Sequence, residues 1–264
     1  MINRVKLIVL AGLLAPGLAT AASYVDIPLA SVRDHAFTKD GYLLITAGNS
    51  LKQYDLAACE LSTLFDTSGQ LYGVEVSRDE NRVVVASRGV VQGSISFLHT
   101  WRYQWRGYYP WSYLPAFGED GSYMPAFTPG GQLLIGGTYA GSGWTPLREF
   151  DLAAGTSVTR ASVRQNSMLA TGAESSIIGI AESNISSGPV RAYNTRGASI
   201  LATFNTNWFM FELAINPRGT RFVAPSYTGA FVLDLGAGSF TEVARLGQYA
   251  SHGPLSAVFS PDSS

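Results

Sequence analysis

The hexapeptide AFTPGG, residues 126–131, is one of six related phrases in the chain, and its reading decides the fold. An apolar pair is followed by a hydroxyl, a proline and two glycines, which is a strand running into a tight turn; a strand that turns needs a second strand to pair with. The phrase recurs as AFTKDG from Ala36, EVSRDE from Glu75, AINPRG from Ala214 and VFSPDS from Val258, with a weaker copy, ATGAES, from Ala170. Taking the second residue of each as an anchor gives Phe37, Val76, Phe127, Thr171, Ile215 and Phe259, separated by 39, 51, 44, 44 and 44 residues. A period of this size is that of a four-stranded unit repeated around an axis.

The interior of each repeat agrees. A short aliphatic or β-branched run follows every turn: YLLITA, RVVVAS, QLLIGG, SIIGIA and RFVAPS. Later in the repeat come KQYDLAAC, REFDLAAG, RAYNTRG and FVLDLGAG, in which Asp55, Asp151, Asn194 and Asp234 end a strand and offer a short side-chain acceptor to backbone N–H groups two residues on. Gly155 and Gly238 permit positive φ in two of these turns, and Cys59 takes the same place in the first. A further strand, such as LSTLF or SILATF, completes the unit.

On these turn and strand phrases the chain resembles the bacterial β-propellers of the YVTN and WD-repeat-like group, over nearly all of Tyr24 to Ser264. The resemblance implies an all-β propeller of four-stranded blades, five of them recognisable, with an incomplete sixth. It says little about activity, since that superfamily holds scaffolds, ligand binders and a minority of enzymes. The fourth repeat departs from the pattern, having lost the Pro and Asp, and the second is lengthened.

Composition narrows the partners. With 46% hydrophobic and 14% charged residues the chain buries a large core, and a net charge of -1 provides no basic field for nucleic acid or an anionic membrane. At the start, Arg4 and Lys6 precede an apolar run from Leu7 to Leu14, Pro16 and the triplet Ala19-Thr20-Ala21. That is the pattern of a secretory signal peptide over 1–21, leaving a single domain over 22–264, no membrane span after cleavage, and a periplasmic or secreted bacterial address. The lone Cys59 forms no internal disulfide.

No catalytic, metal-binding or phosphate-loop motif is present, and no cofactor is called for. A propeller site is instead assembled where the innermost strands begin. The residues three before the anchors are Asp34, Gly73, Met124, Met168, Glu212 and Ser256. Asp34, Glu75 and Glu212 are the catalytic candidates of a lactonase-like enzyme, with His35 and His252 as further groups at the channel, as acid and base or with a divalent ion; the plain alternative is solvated polar groups at strand ends. The second candidate surface is WRYQWRGYYPWSY, in which Trp101, Tyr103 and Trp105 alternate along a strand and Tyr108, Tyr109, Trp111 and Tyr113 follow in an extended loop. Aromatic loops contact proteins and carbohydrates well. The leading expectation is therefore a binding or interaction module that uses this insertion, with the enzyme and a truncated paralogue as alternatives. The last expectation concerns closure. GPLSAVFSPDSS reads as the first strand of a blade and YVDIPLAS as an outermost one, and together they fall short of a period by about 24 residues, roughly two strands with their turns.

Overall fold

The computed structural model describes residues 5–9, 23–67, 69–79, 82–87, 98–104, 107–108, 112–114, 121–122, 124–138, 143–182, 188–247 and 257–259. Val5–Val9 (β1) and Ser23–Ile27 (β2) form a two-stranded antiparallel ladder. Five larger antiparallel sheets follow in chain order. The first is β3 (Val32–Phe37), β4 (Tyr42–Ala47), β5 (Ser50–Asp55) and β6 (Glu60–Asp66). The second is β7 (Leu71–Val76), β8 (Arg82–Ser87) and β9 (Leu98–Gln104), with β10 (Gly107–Tyr108) and β11 (Ser112–Leu114) both paired to β9. A short pair, β12 (Gly121–Ser122) with β15 (Gly137–Thr138), adjoins the third sheet of β13 (Ala126–Phe127), β14 (Leu133–Ile135), β16 (Trp144–Asp151) and β17 (Thr156–Arg164). The fourth is β18 (Met168–Thr171), β19 (Ile177–Ala181), β20 (Val190–Asn194) and β21 (Ser199–Phe204); the fifth is β22 (Ala214–Ile215), β23 (Arg221–Ser226), β24 (Gly229–Leu235) and β25 (Phe240–Leu246). Each sheet is an antiparallel meander, with β11 returning onto β9 in the second and β15 leaving the third to pair β12, which is the pattern of a propeller blade.

The core lies between blades rather than within them, because each sheet has two faces and each neighbour covers one. Leu44 and Leu51 of the first blade meet Leu71, Val74, Val83 and Val85 of the second. Val84 and Ala86 meet Phe127, Leu133 and Phe150 of the third. Leu134, Leu147 and Val163 meet Ile178, Ile180 and Tyr193 of the fourth, and Val190 and Ala192 meet Phe222, Phe231 and Leu233 of the fifth. The face of the first blade turned away from the second, with Leu43, Ile45 and Tyr54, is covered by Ile27 and Leu29. The segment expected as an outermost blade strand thus pairs with β1 and lies over the first blade, since its alternating apolar residues find an uncovered apolar face there.

The repeated turns close by one device. The residue after the anchor exchanges backbone bonds across the turn while its side chain accepts from the first residue of the next strand: Thr38 from Tyr42 at 3.0 Å, Ser77 from Arg82 at 3.0 Å, Thr128 from Gln132 at 3.2 Å and Asn216 from Arg221 at 2.9 Å. The fourth copy has Gly172 there, and Ser175 accepts from Ile177 at 2.9 Å instead. The substitution has a packing cause: a Cβ on Gly172 would lie 2.6 Å from the Asn216 carbonyl oxygen and 2.8 Å from that of Pro217. Gly172→Ala should cost about 1–3 kcal/mol through this clash, read as a lower denaturation midpoint; an unchanged midpoint would show that the fourth and fifth turns do not touch.

The second turn family holds with one exception. Asp55 accepts from Ala57 and Ala58, Asp151 from Ala153 and Ala154, and Asn194 from Arg196. Cys59, Gly155 and Gly238 all have positive φ. Asp234 differs: it forms a two-pronged ion pair with Arg221, its partner across the β23–β24 ladder.

Candidate functional site

Register shifts in β3 at Arg33 and in β7 between Leu71 and Val74 re-aim side chains at the start of these innermost strands. There the blades surround a cavity of about 280 Å³ lined by Asp34, Glu75, Met124, Met168, Phe211 and Glu212, with Arg33 and His35 at its edge. The three carboxylates singled out in the sequence are therefore brought to one place from the first, second and fifth blades.

Each is held by the blade that follows it. Asp34 accepts from the Val74 N–H at 2.9 Å and from its neighbour His35 N–H at 2.8 Å. Thr46, fully buried behind it, donates to the Tyr72 carbonyl at 2.8 Å and accepts from the Asp34 N–H at 3.1 Å, so this corner joins the first two blades twice. Glu212 accepts from the Ala257 N–H at 3.1 Å. The two bonds are equivalent by repeat position: in both, a carboxylate three residues before its anchor meets the amide two residues before the next anchor. The intervening blades obey the same geometry without a carboxylate. Before the third anchor that amide position is Pro125, which has no N–H, and the facing residue is Gly73, where a Cβ would lie 2.6 Å from the proline ring. The carboxylates are thus acceptors joining blades, not free groups in solvent.

Glu75 reaches furthest, accepting from the Phe127 N–H of the third blade and the Thr171 hydroxyl of the fourth. Burial pushes its pKa up to about 8, with the Asp34 charge adding to the rise and its two hydrogen bonds and Arg78 opposing it. Burial likewise pushes Asp34 up to about 7, against the bonds from Val74 and His35 and with a smaller upward push from Glu212. At the far end of the strands Arg78 donates to the carbonyls of Gly172, at 2.5 Å, and Ser175, at 2.9 Å, while Lys39 donates to the Arg78 carbonyl at 3.0 Å. Arg78 so straps the second turn to the fourth.

The rim carries an aromatic group absent from the sequence reading. Phe211 packs edge-on against Tyr227 at 4.5 Å between centroids and against Phe209 at 5.6 Å, and Phe209 lies 6.3 Å from Tyr227. Tyr227 is 64% exposed and Trp208 41% exposed. The signal was present as Trp208-Phe209-Met210-Phe211 running directly into Glu212. Arg33 is an exposed residue of the lining whose guanidinium is engaged by Gln70 Oε1, in the amide orientation that satisfies both groups, at 2.8 and 3.0 Å; it keeps its charge but is not among the groups that act on Asp34 or Glu75. Among the described residues no three His, Cys, Asp or Glu side chains are grouped to hold a metal ion.

Of the aromatic insertion, Trp105, Tyr109 and Trp111 lie outside the described residues, as do His252 and Ser256 and the side-chain placement of Trp101, Tyr103, Tyr108 and Tyr113. Its backbone departs from an extended loop: Gly107 and Tyr108 pair with Gln104 and Tyr103, and Ser112–Leu114 pair with Leu98–Thr100. The chain folds back on β9 after Gln104, with Gly107 opening the returning strand, because the aromatic run behind it has the β-propensity to pair again. The end of β9 lies beside the start of β8, with Arg102 opposite Arg82, so the pairing of Gly107 and Tyr108 with Gln104 and Tyr103 lies at the turn end of the blade, while Ser112–Leu114 run back along the outer edge of the sheet beside Leu98–Thr100.

No protein-family model and no curated protein matches the sequence. Solved structures do match the fold. A chain of the nidogen/laminin complex superposes with a TM-score of 0.67 at 12% identity, over 88% of this chain and 86% of that one. The Dos1 propeller gives 0.61 at 14% identity, over 83% and 60%, and hydrazine synthase of Kuenenia stuttgartiensis gives 0.61 at 15% identity, over 81% and 67%. Likeness at this identity carries architecture alone. The chain is a β-propeller whose innermost strands gather three carboxylates and an aromatic rim at one end of the central axis.

Proposed function

We propose that this protein is an exported propeller that works as a binding module, and that its contact surface is the aromatic-rimmed mouth of the central cavity. The observation that carries this is the Phe211 ring, which lines the carboxylate pocket and packs on Phe209 and the exposed Tyr227, with the exposed Trp208 close by in the chain: rings open to solvent next to a polar depression form a binding surface, whereas buried rings form core. Similar folds occur in protein complexes, the nidogen/laminin assembly among them. The aromatic insertion over 101–113 is a second contact surface, at the outer edge of the second blade. Catalysis at the carboxylates is the weaker reading, because each accepts a hydrogen bond from a neighbouring blade.

Photoreactive phenylalanine placed singly at Trp208, Tyr227, Tyr109 and the outer-strand residue Val158 tests this in the exporting cell. Discrete cross-linked products are expected from Trp208 and Tyr227, and separately from Tyr109, but not from Val158. Equal labelling at all four positions, or none at Trp208 and Tyr227, would remove the mouth as a contact surface.

A further inference from the structure

The chemistry of the mouth selects one class of ligand. It holds three carboxylates from three blades: Asp34 and Glu212 each accept one bond from a neighbouring blade and Glu75 accepts two, leaving lone pairs to offer. Its walls are the side chains of Met124 and Met168, polarizable and apolar, and its lip is the Phe211 ring backed by Tyr227 and Phe209. Of the nearby cations, Arg33 is held by Gln70 and does not act on Asp34 or Glu75, while Arg78 is held by the carbonyls of Gly172 and Ser175 and offsets part of the Glu75 charge. An anion would meet three carboxylates, and a neutral apolar group would strand them without a partner. A compact cation on an apolar stem satisfies every part at once: the charge among the carboxylates, the stem along the methionines, and the ring faces at the entrance.

We propose that the mouth binds a primary ammonium group on a short alkyl chain, as presented by a lysine side chain of a partner protein or by a free diamine. The inference rests on the mouth being the contact surface and adds the chemistry of what enters it. An ammonium fits better than a guanidinium, because it is a compact point charge whose donors rotate to meet carboxylates of different blades, whereas a planar fork addresses one carboxylate at a time. A cavity of about 280 Å³ takes one such chain and excludes a folded segment.

Calorimetric titration of the whole protein with cadaverine, with N-acetyl-lysine-methylamide and with the norleucine analogue as neutral isostere tests the proposal. At pH 8.5 the two ammonium compounds should bind and the norleucine compound should be weaker by about tenfold or more, the worth of one charged contact; the tighter of the two names the source. Binding should weaken at pH 5.5, where Asp34 and Glu75 take up protons. The groups around them are Arg33, His35, Arg78 and Glu212. Glu212→Gln, which keeps an acceptor for Ala257, should cost about tenfold in affinity, and the exposed Tyr227→Ser a few-fold, consistent with a surface cation–π contact. Absence of binding by both ammonium compounds at millimolar concentration, or equal affinity for the norleucine analogue, overturns the proposal. Should this occur while Trp208 and Tyr227 still cross-link, the contact surface stands and only its chemistry is wrong.

Discussion

Raising the pH from about 4 to about 9 should destabilise this protein, the reverse of ordinary acid unfolding. Asp34 titrates near 7 in the folded chain against an ordinary 3.8, and Glu75 near 8 against 4.5. Between these limits the folded state keeps protons that the unfolded chain has released. The stabilisation is therefore complete below the ordinary carboxylate range and is lost as the pH climbs through 7 and 8. Each pKa unit is worth about 1.4 kcal/mol, so either group contributes at most about 5 kcal/mol. Asp151, held low by the N–H groups of Ala154 and Ala153, and Asp234, held low by Arg221, act oppositely, but only below the ordinary range, where they turn the profile over. Melting temperatures at pH 5 and pH 8.5 check the sign. The double variant Asp34→Asn, Glu75→Gln should flatten the profile and be the more stable protein at pH 8.5; a flat wild-type profile would mean that both carboxyls are hydrated and ionised throughout.

Phe222→Ala is the substitution expected to cost most, about 3–5 kcal/mol. The ring is fully buried between the fourth and fifth blades, edge-on to Phe240 at 4.9 Å. The opposing residue is Gly179, whose missing side chain makes room for it: a Cβ there would lie 2.9 Å from the ring. Sheets cannot slide together to fill the void, because strand spacing is set by the ladders on either side. The melting temperature should fall by roughly 10 °C, and Phe222→Leu should recover part of it. A drop of only a degree or two would show that these two blades are not packed through this residue.

The repeat was legible because its turn chemistry is local. Thr38, Ser77, Thr128 and Asn216 announce their turns within five residues, and Asp55, Asp151 and Asn194 bond two or three residues on. Asp234 carries the same local signal and answers to Arg221, since pairing register, which sequence spacing does not reveal, set them opposite one another. The meeting of Asp34, Glu75 and Glu212 followed from counting back from the anchors, but their use as acceptors for the next blade depends on how closely innermost strands approach. Glu75 reaching Thr171 across two blades has no counterpart in any spacing. The rim rings were hidden for another reason: Trp208 to Phe211 lie between strands, where no periodicity tells a buried ring from an exposed one.

The bond between a carboxylate and the amide of the following blade has a consequence for how such a ring can diversify. Asp34 needs the N–H of Val74, and Glu212 needs that of Ala257, whereas Pro125 offers none and tolerates only Gly73 before it. A copy of the third blade inserted after the first would place a proline against Asp34 and leave a buried acid without its donor, and a copy of the first inserted before the third would drive an aspartate into the ring of Pro125. Blades here are not interchangeable cassettes. The heritable unit is the junction, so duplication and exchange in this lineage must carry a residue on each side of the seam together.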